Sequence, residues 1–192
     1  YGDVKVLASG SDSNFSEIPT FGVEDIRPDA DYVHICLNNT IFGTKFHNVP
    51  DTGNIPLVAD ISSCIMSEPI DVSKFALLYA GAQKNMGPAG LTIVIVRDDM
   101  IGNENPLTPV MLNYKVAAEN DSMYNTPPCY SIYMAKLVME WVRDEIGGLT
   151  KMAEINYKKA GLLYDFIDNS NLFKATAAKN SRSIMNVTFI TG

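Results

Sequence analysis

The sequence predicts an α/β protein in which a mostly parallel β-sheet is flanked by helices. Four short apolar runs follow one another in the first part of the chain, and each is closed by a polar residue or a glycine. They occupy residues 32–37, 56–59, 76–80 and 91–96. After residue 129 the apolar residues instead recur at three- and four-residue spacing, which is typical of amphipathic helices.

The four apolar runs predict strands that are buried on both faces, because they are nearly continuous rather than alternating in apolar character. His34 lies inside the first run and is expected to be a hydrogen-bonded core residue. A weaker strand is predicted at residues 4–8, within an otherwise irregular stretch. A last strand is predicted at residues 184–190, and no partner strand follows it, so the chain is expected to end at a cut edge.

Two helices are predicted, at residues 130–146 and at about residues 150–168. Gly147 and Gly148 end the first helix, since glycine readily adopts the left-handed conformation of a helix end. Trp141 is expected to face the core. The change of character at the two glycines predicts a domain boundary, with residues 1–147 in a large domain and residues 148–192 beginning a small C-terminal α+β domain.

Composition narrows the class of protein. With 15 basic and 22 acidic residues the net charge is −7, which disfavours binding to nucleic acid or anionic membrane. No run approaches the roughly 18 apolar residues of a membrane span. The three cysteines form no CxxC pair, so no metal site is predicted, and they are expected to be free, buried thiols in a reducing, cytoplasmic compartment.

The strongest chemical signal is Lys84, in a segment with three glycines that directly follows a buried strand. Small residues let a bulky ligand approach the backbone, and burial favours the neutral amine of a lysine, which can form a Schiff base with an aldehyde. Taken alone, an ordinary surface lysine is the more common interpretation.

Asp60 is the second signal, because it directly follows the second apolar run. Parallel strands present their carboxyl ends at one edge of the sheet, so Asp60 and Lys84 are expected to reach the same crevice. Pyridoxal 5'-phosphate (PLP) needs such a pair, a lysine for its aldehyde and a carboxylate for its ring nitrogen. The alternative is that Asp60 only caps a turn, together with Ser62 and Ser63.

Three stretches resemble the phosphoserine aminotransferases, a family of PLP-dependent class V aminotransferases. They are residues 59–63 (ADISS), residues 79–92 (YAGAQKNMGPAGLT) and residues 124–128 (YNTPP). AGAQKN followed by GPAGLT is highly specific, NTPP before a helix is moderately so, and the resemblance runs from about residue 32 to residue 186. It implies the PLP-transferase fold type I, with residues 1–147 as part of the large PLP-binding domain.

The resemblance also implies roles for individual residues. Lys84 would be the Schiff-base lysine and the proton shuttle, and Asp60 would pair with the ring nitrogen. Two other residues would bind the cofactor of the same chain, Thr40 at its phenolic oxygen and Gln83 at its phosphate. Asn125 and Thr126 would bind the phosphate of the cofactor in the neighbouring subunit, so the resemblance implies a homodimer with shared active sites. Without the resemblance, Thr40, Asn125 and Thr126 would be interpreted as turn residues.

The implied reaction is reversible transamination of O-phospho-L-serine and 2-oxoglutarate to 3-phosphohydroxypyruvate and L-glutamate, in serine biosynthesis. A second implied role is in the formation of PLP. The family's substrate-binding arginines and ring-stacking tryptophan have no match in this sequence, so this chain by itself is expected to be inactive. Two alternatives stay open. One is another fold-type I PLP enzyme, such as a desulfurase or a glyoxylate-type aminotransferase, and the other is a non-catalytic fragment that acts only in binding.

Overall fold

The computed structural model describes residues 2–192. In that range the strands are β1 (Val33–Cys36), β2 (Asn38–Asn39), β3 (Thr44–Lys45), β4 (Leu57–Asp60), β5 (Leu77–Gly81), β6 (Thr92–Val96), β7 (Phe173–Ala175) and β8 (Phe189–Thr191). The α-helices are α1 (Ala82–Asn85), α2 (Tyr114–Glu119), α3 (Cys129–Trp141) and α4 (Leu149–Asp168).

The main sheet has the strand order β1-β4-β5-β6. The pairs β1–β4 and β4–β5 are parallel, whereas β6 runs antiparallel to β5. All four strands lie within or next to the apolar runs, so the prediction of a mostly parallel sheet is confirmed. The carboxyl ends of β1, β4 and β5 meet at one edge, which is where the chain continues into the β2–β3 hairpin, residues 61–63 and α1.

The apolar core lies mainly against one face of this sheet. Its buried side chains come from alternate positions of the strands and include Val33, Ile35, Leu57, Ala59, Leu78 and Ala80. The prediction of strands buried on both faces is therefore wrong for β1, in which His34 and Cys36 alternate with buried residues and are exposed. It is also wrong for β6, in which no residue is buried and both Thr92 and Ile95 are exposed. His34 and Cys36 interrupt the apolar run with the period of two that a half-buried strand requires.

Helix α3 covers the end of the sheet next to α1, where Ala135 packs with Ala82 and Met86. A π-helical turn, Val142–Ile146, continues α3, and Gly147 ends it with a φ of +88°. Both predicted helices and the glycine stop are confirmed. Trp141 is 48% exposed, so its predicted place in the core is wrong. The buried positions of this helical stretch are Ser131, Ala135 and Val142.

Two predictions near the ends of the chain need correction. Residues 4–8 form no strand, and both Val4 and Val6 are largely exposed. The closing strand is limited to β8, and it pairs antiparallel with β7, a strand that was not predicted and that precedes it in the chain. Residues 184–188 are held by side-chain hydrogen bonds rather than by a strand ladder.

The cysteines differ in exposure, so the prediction of buried free thiols holds fully only for Cys64. Cys36, Cys64 and Cys129 are all free, but Cys36 and Cys129 are exposed. Burial raises the pKa of the Cys64 thiol to about 12. Over residues 2–192, every helix is too short or too polar to cross a membrane. The same residues contain no group of three or more side chains placed to hold a metal ion.

An ion pair at the end of α4 makes stability depend on pH. Two hydrogen bonds of 2.6 and 2.9 Å join Arg182 to Asp168, and mainly for this reason the pKa of the Asp168 carboxyl falls from an ordinary 3.8 to about 2. A carboxyl whose pKa is lower in the folded state stabilises the fold above its unfolded pKa. That contribution is lost as the pH falls through the folded pKa.

We therefore expect the wild-type protein to exceed the Asp168→Asn variant in stability near neutral pH. The difference between their free energies of unfolding should shrink as the pH falls from about 4 to about 2. Urea unfolding at a series of pH values measures this difference. Asp165→Asn, at an exposed position of the same helix, is the control, and its difference from wild type should stay level. A difference for Asp168→Asn that does not change with pH would contradict the prediction.

Candidate functional site

Lys84 lies in the single helical turn α1, directly after β5. The backbone there is held on both sides, because Gly81 pairs with Thr92 and the Ala82 N–H donates to the Leu91 carbonyl at 2.9 Å. The Lys84 amine donates a hydrogen bond of 2.8 Å to the hydroxyl of Thr40. The Lys84 side chain is exposed, so the burial that would favour its neutral amine is not observed.

Thr40 lies in the turn of the β2–β3 hairpin. The preceding side chain shapes this turn, since Asn39 Oδ1 accepts the backbone N–H groups of Ile41 and Phe42 at 3.0 and 3.2 Å. An asparagine that bonds the backbone two residues ahead is a common turn former. The Thr40 hydroxyl thereby faces Lys84, although the two residues are 44 positions apart.

Asp60 is the last residue of β4 and is flanked by residues of both neighbouring strands. In the strand register Cys36 of β1 lies on one side of it and Tyr79 of β5 on the other. Its Oδ1 accepts the Ser62 N–H at 2.8 Å, and the Ser62 hydroxyl accepts the Gly81 N–H at 3.0 Å. These two hydrogen bonds therefore connect the turn after β4 to the start of the segment that contains Lys84. They also agree with the alternative interpretation, in which Asp60 only caps a turn.

The pKa of the Cys36 thiol responds to both Asp60 and Lys84. It is raised mainly because neighbouring atoms partly shield the sulfur from water, although the residue as a whole is exposed. The Asp60 carboxylate raises it further, whereas the Lys84 ammonium lowers it. Both charges therefore act on the same sulfur atom at the edge of the sheet. A carboxylate and an amine at neighbouring strand ends are the pair that the sequence predicted.

His34 and Tyr79 belong to the same face of the sheet, and sequence reasoning did not assign either to the site. His34 Nε2 lies 3.0 Å from the Tyr79 hydroxyl, within hydrogen-bond distance. The predicted hydrogen bond of His34 is confirmed, but its predicted burial is wrong. Burial, and then the Asp60 charge, raise the pKa of Tyr79. In the sequence, His34 and Cys36 alternate with apolar residues. This alternation was the signal that could have placed His34 and Cys36 on the exposed face.

The remaining predicted residues lie at different distances from this centre. Gln83 directly precedes Lys84 and folds back over Gly81, where a β-carbon would meet its amide oxygen at 2.8 Å. Asn125 and Thr126 are exposed in the irregular segment between α2 and α3. Among residues 2–192, no hydrogen bond joins the side chain of either one to Lys84, Thr40 or Asp60. The structure therefore brings Thr40, Asp60, Gln83 and Lys84 to one edge, but not Asn125 and Thr126.

Comparison with known proteins identifies the family of the chain. The family model described as aminotransferase class-V matches residues 6–192. The phosphoserine aminotransferase of Streptococcus suis (strain 05ZYH33) is 52% identical over 186 residues, which cover 96% of this chain and 51% of that protein.

Solved structures give the same result. A phosphoserine aminotransferase from Bacillus circulans subsp. alkalophilus superposes with a TM-score of 0.93 at 43% identity, over all of this chain and 53% of that one. The PLP-bound phosphoserine aminotransferase from Trichomonas vaginalis gives a TM-score of 0.87 at 36% identity, over 93% of this chain and 49% of that one.

The chain thus spans about half the length of the relatives that it matches. The family match covers nearly all of the described residues and includes every residue assigned above to the sheet edge. The chain belongs to the aminotransferase class-V family.

Proposed function

We propose that this chain forms the central part of a PLP-dependent aminotransferase that interconverts O-phospho-L-serine and 2-oxoglutarate with 3-phosphohydroxypyruvate and L-glutamate, as a step of serine biosynthesis. The observation that carries the proposal is the Lys84–Thr40 hydrogen bond at the strand end next to Asp60. Relatives at about half identity, named phosphoserine aminotransferases, support the choice of substrate. A contribution to PLP formation is part of the same proposal.

The residues at the sheet edge fit PLP in chemical type. The group carries an aldehyde, a phenolic oxygen and a basic ring nitrogen, which call for an amine, a hydrogen-bond donor and a carboxylate. Lys84, Thr40 and Asp60 supply these three groups, and the exposed Lys84 amine is free to meet a ligand from solvent. When bound, PLP withdraws electrons from the substrate α-carbon.

In this proposal each residue acts at a stated atom. Lys84 Nζ would hold the cofactor aldehyde, and once a substrate amine had displaced it, the freed Lys84 amine would carry the proton between the substrate α-carbon and the cofactor. The Asp60 carboxylate would keep the ring nitrogen protonated, while its bond from the Ser62 N–H fixes the direction of the carboxylate. The Thr40 hydroxyl would orient the phenolic oxygen, and Gln83 would contribute a neutral donor to the phosphate.

We further propose a homodimer in which Asn125 and Thr126 bind the cofactor phosphate of the neighbouring subunit. Their exposure and lack of bonds to Lys84 within one chain support this assignment. Residues 148–192 would begin a smaller domain. Three free thiols support a reducing, cytoplasmic location. Light scattering of the protein at its natural length tests the assembly, and a monomer mass would contradict it.

The function is tested by supplying the purified protein, at its natural length, with PLP. We expect a visible absorbance band that borohydride fixes to the protein, and formation of L-glutamate from 2-oxoglutarate with phosphoserine as the donor. L-Alanine with glyoxylate and L-cysteine serve as comparison substrates for the other fold-type I activities. A band with turnover of a comparison substrate but not of phosphoserine would replace the proposed activity. Absence of the band would leave a protein that only binds partners.

A further inference from the structure

A buried asparagine next to the Thr40 turn is bonded through every polar atom of its side chain. Asn38 is 1% exposed. Its amide donates to the Ser63 hydroxyl at 2.7 Å and to Asn186 Oδ1 at 2.8 Å, and its Oδ1 accepts the Ser183 hydroxyl at 2.5 Å. The Ser63 hydroxyl donates in turn to the Asn38 carbonyl at 2.8 Å. A buried network that is fully bonded in this way fixes its members in one arrangement.

The Asn38 network joins three distant parts of the chain. Ser63 lies 25 positions after Asn38, in the turn that follows Asp60. Ser183 and Asn186 lie 145 and 148 positions after it, beyond α4. Asn38 itself precedes Thr40 by two residues. One side chain therefore connects the Thr40 turn, the Asp60 turn and the segment after α4.

The same distant segment also holds the tip of the hairpin. The Ser183 N–H donates to the Gly43 carbonyl at 2.8 Å, and the Thr188 hydroxyl donates to the Phe42 carbonyl at 2.9 Å. Gly43 has a φ of +68°, and a β-carbon there would lie 2.7 Å from the Asn186 carbonyl oxygen. Hydrogen bonds from residues 183–188 therefore hold the chain both before Thr40, at Asn38, and after it, at Phe42 and Gly43.

We propose that Asn38 is a positioning residue, through which residues 183–188 hold the Thr40 hydroxyl in place against the Lys84 amine. The inference rests on the proposed function only in taking Lys84 as the lysine that holds the cofactor. It adds that residues 183–188, none of which is hydrogen-bonded to Lys84 in the part of the chain that the structure describes, set how firmly the cofactor is retained. Asn38 acts on the cofactor through Thr40 and not by touching it.

The test compares Asn38→Ala and Ser183→Ala with Asn156→Ala in the protein at its natural length. Asn156 is the matched control, since it is 2% exposed and donates one buried bond of 2.9 Å to the Ser67 carbonyl, which is not a member of the Asn38 network. Ser183→Ala is the smaller change in volume, and it also removes the hydroxyl that accepts the Met185 and Asn186 N–H groups. We expect PLP to leave Asn38→Ala about tenfold faster than wild type.

A spectroscopic readout separates positioning from general loss of stability. The pH midpoint of the absorbance change of the lysine-bound cofactor reports the surroundings of the Lys84 nitrogen. We expect Asn38→Ala and Ser183→Ala to move this midpoint in the same direction as Thr40→Ala, by about half a pH unit. Asn156→Ala should leave it unchanged. An unchanged midpoint and release rate in both network variants, or an equal change in Asn156→Ala, overturns the proposal.

Hydrogen exchange in the cofactor-free protein provides a second measurement that does not depend on the proposed function. The amide protons of Phe42 and Gly43 should exchange faster in both network variants than in wild type or Asn156→Ala. Equal exchange in all four proteins overturns the anchoring role, even if the variants lose activity. A wild-type protein that takes up no PLP instead refutes the proposed function, whatever the exchange data show.

Discussion

Replacing Lys84 by alanine is expected to abolish covalent retention of PLP and to lower transamination at least about 10⁴-fold, because one amine performs both attachment and proton transfer. Among the described residues, Lys45 on β3 offers no substitute, because it is 4% exposed and paired with Glu68. The measurement is the visible absorbance of the purified protein before and after borohydride, together with turnover of phosphoserine.

Two further variants sharpen this test. Lys84→Arg keeps a positive charge beside Thr40 but cannot form the bond to the aldehyde, so it should fail as completely as the alanine variant. Lys74→Ala removes an exposed lysine before the opposite end of β5 and should behave as wild type. A borohydride-stable attachment that survives in Lys84→Ala would show that another residue holds the cofactor.

The second large effect is expected for Asp60→Asn, with a fall in kcat of about 10²–10³-fold while PLP stays bound. Asparagine keeps the shape of the side chain and an oxygen that can accept the Ser62 N–H, but it lacks the charge that holds a proton on the ring nitrogen. Asp71→Asn is the matched control, because Asp71 also accepts the N–H of the serine two residues ahead, at 3.1 Å. Wild-type turnover by Asp60→Asn would remove the carboxylate from the mechanism.

The same variant has a readout that needs no cofactor. The Asp60 carboxylate contributes to the raised pKa of the Cys36 thiol. In cofactor-free Asp60→Asn the thiol should therefore ionise at a lower pH than in wild type, which is measured from its rate of alkylation as a function of pH. An unchanged profile would mean that the two side chains are farther apart than their places in the strand register indicate.

The sheet and the pair at its edge were predictable from sequence because local patterns encode them. Apolar runs closed by polar residues or a glycine located β1, β4, β5 and β6, and the position of Asp60 directly after one run and of Lys84 four residues after the next located the edge. The exposed face of β1 was missed, although its alternation is visible in the sequence. The exposure of β6 could not be predicted in this way, because its run is nearly continuously apolar, and its burial depends on what packs against it.

The Asn38 network could not be predicted in the same way. An asparagine at the end of an apolar run is normally interpreted as a turn residue, and nothing local indicates that its partners lie near residues 183–186. Contacts over such a separation are decided when the whole chain packs. The pairing of β7 with β8 was missed for a related reason, because both strands are only three residues long and neither has a clear alternating pattern.

The antiparallel direction of β6 has a consequence for how the chain can vary in length. A parallel strand after β5 would need a crossover of about a dozen residues or more, in which insertions are easily absorbed. Here the chain turns back between Gly81 and Thr92, which are themselves paired, so both ends of the connection that contains α1 are fixed. One residue inserted between Ala82 and Lys84 would rotate Lys84 about the axis of α1 by about 100° and carry its amine away from Thr40. Evolutionary insertions and deletions should therefore be rare in this connection and should collect in the irregular segment between β6 and α3.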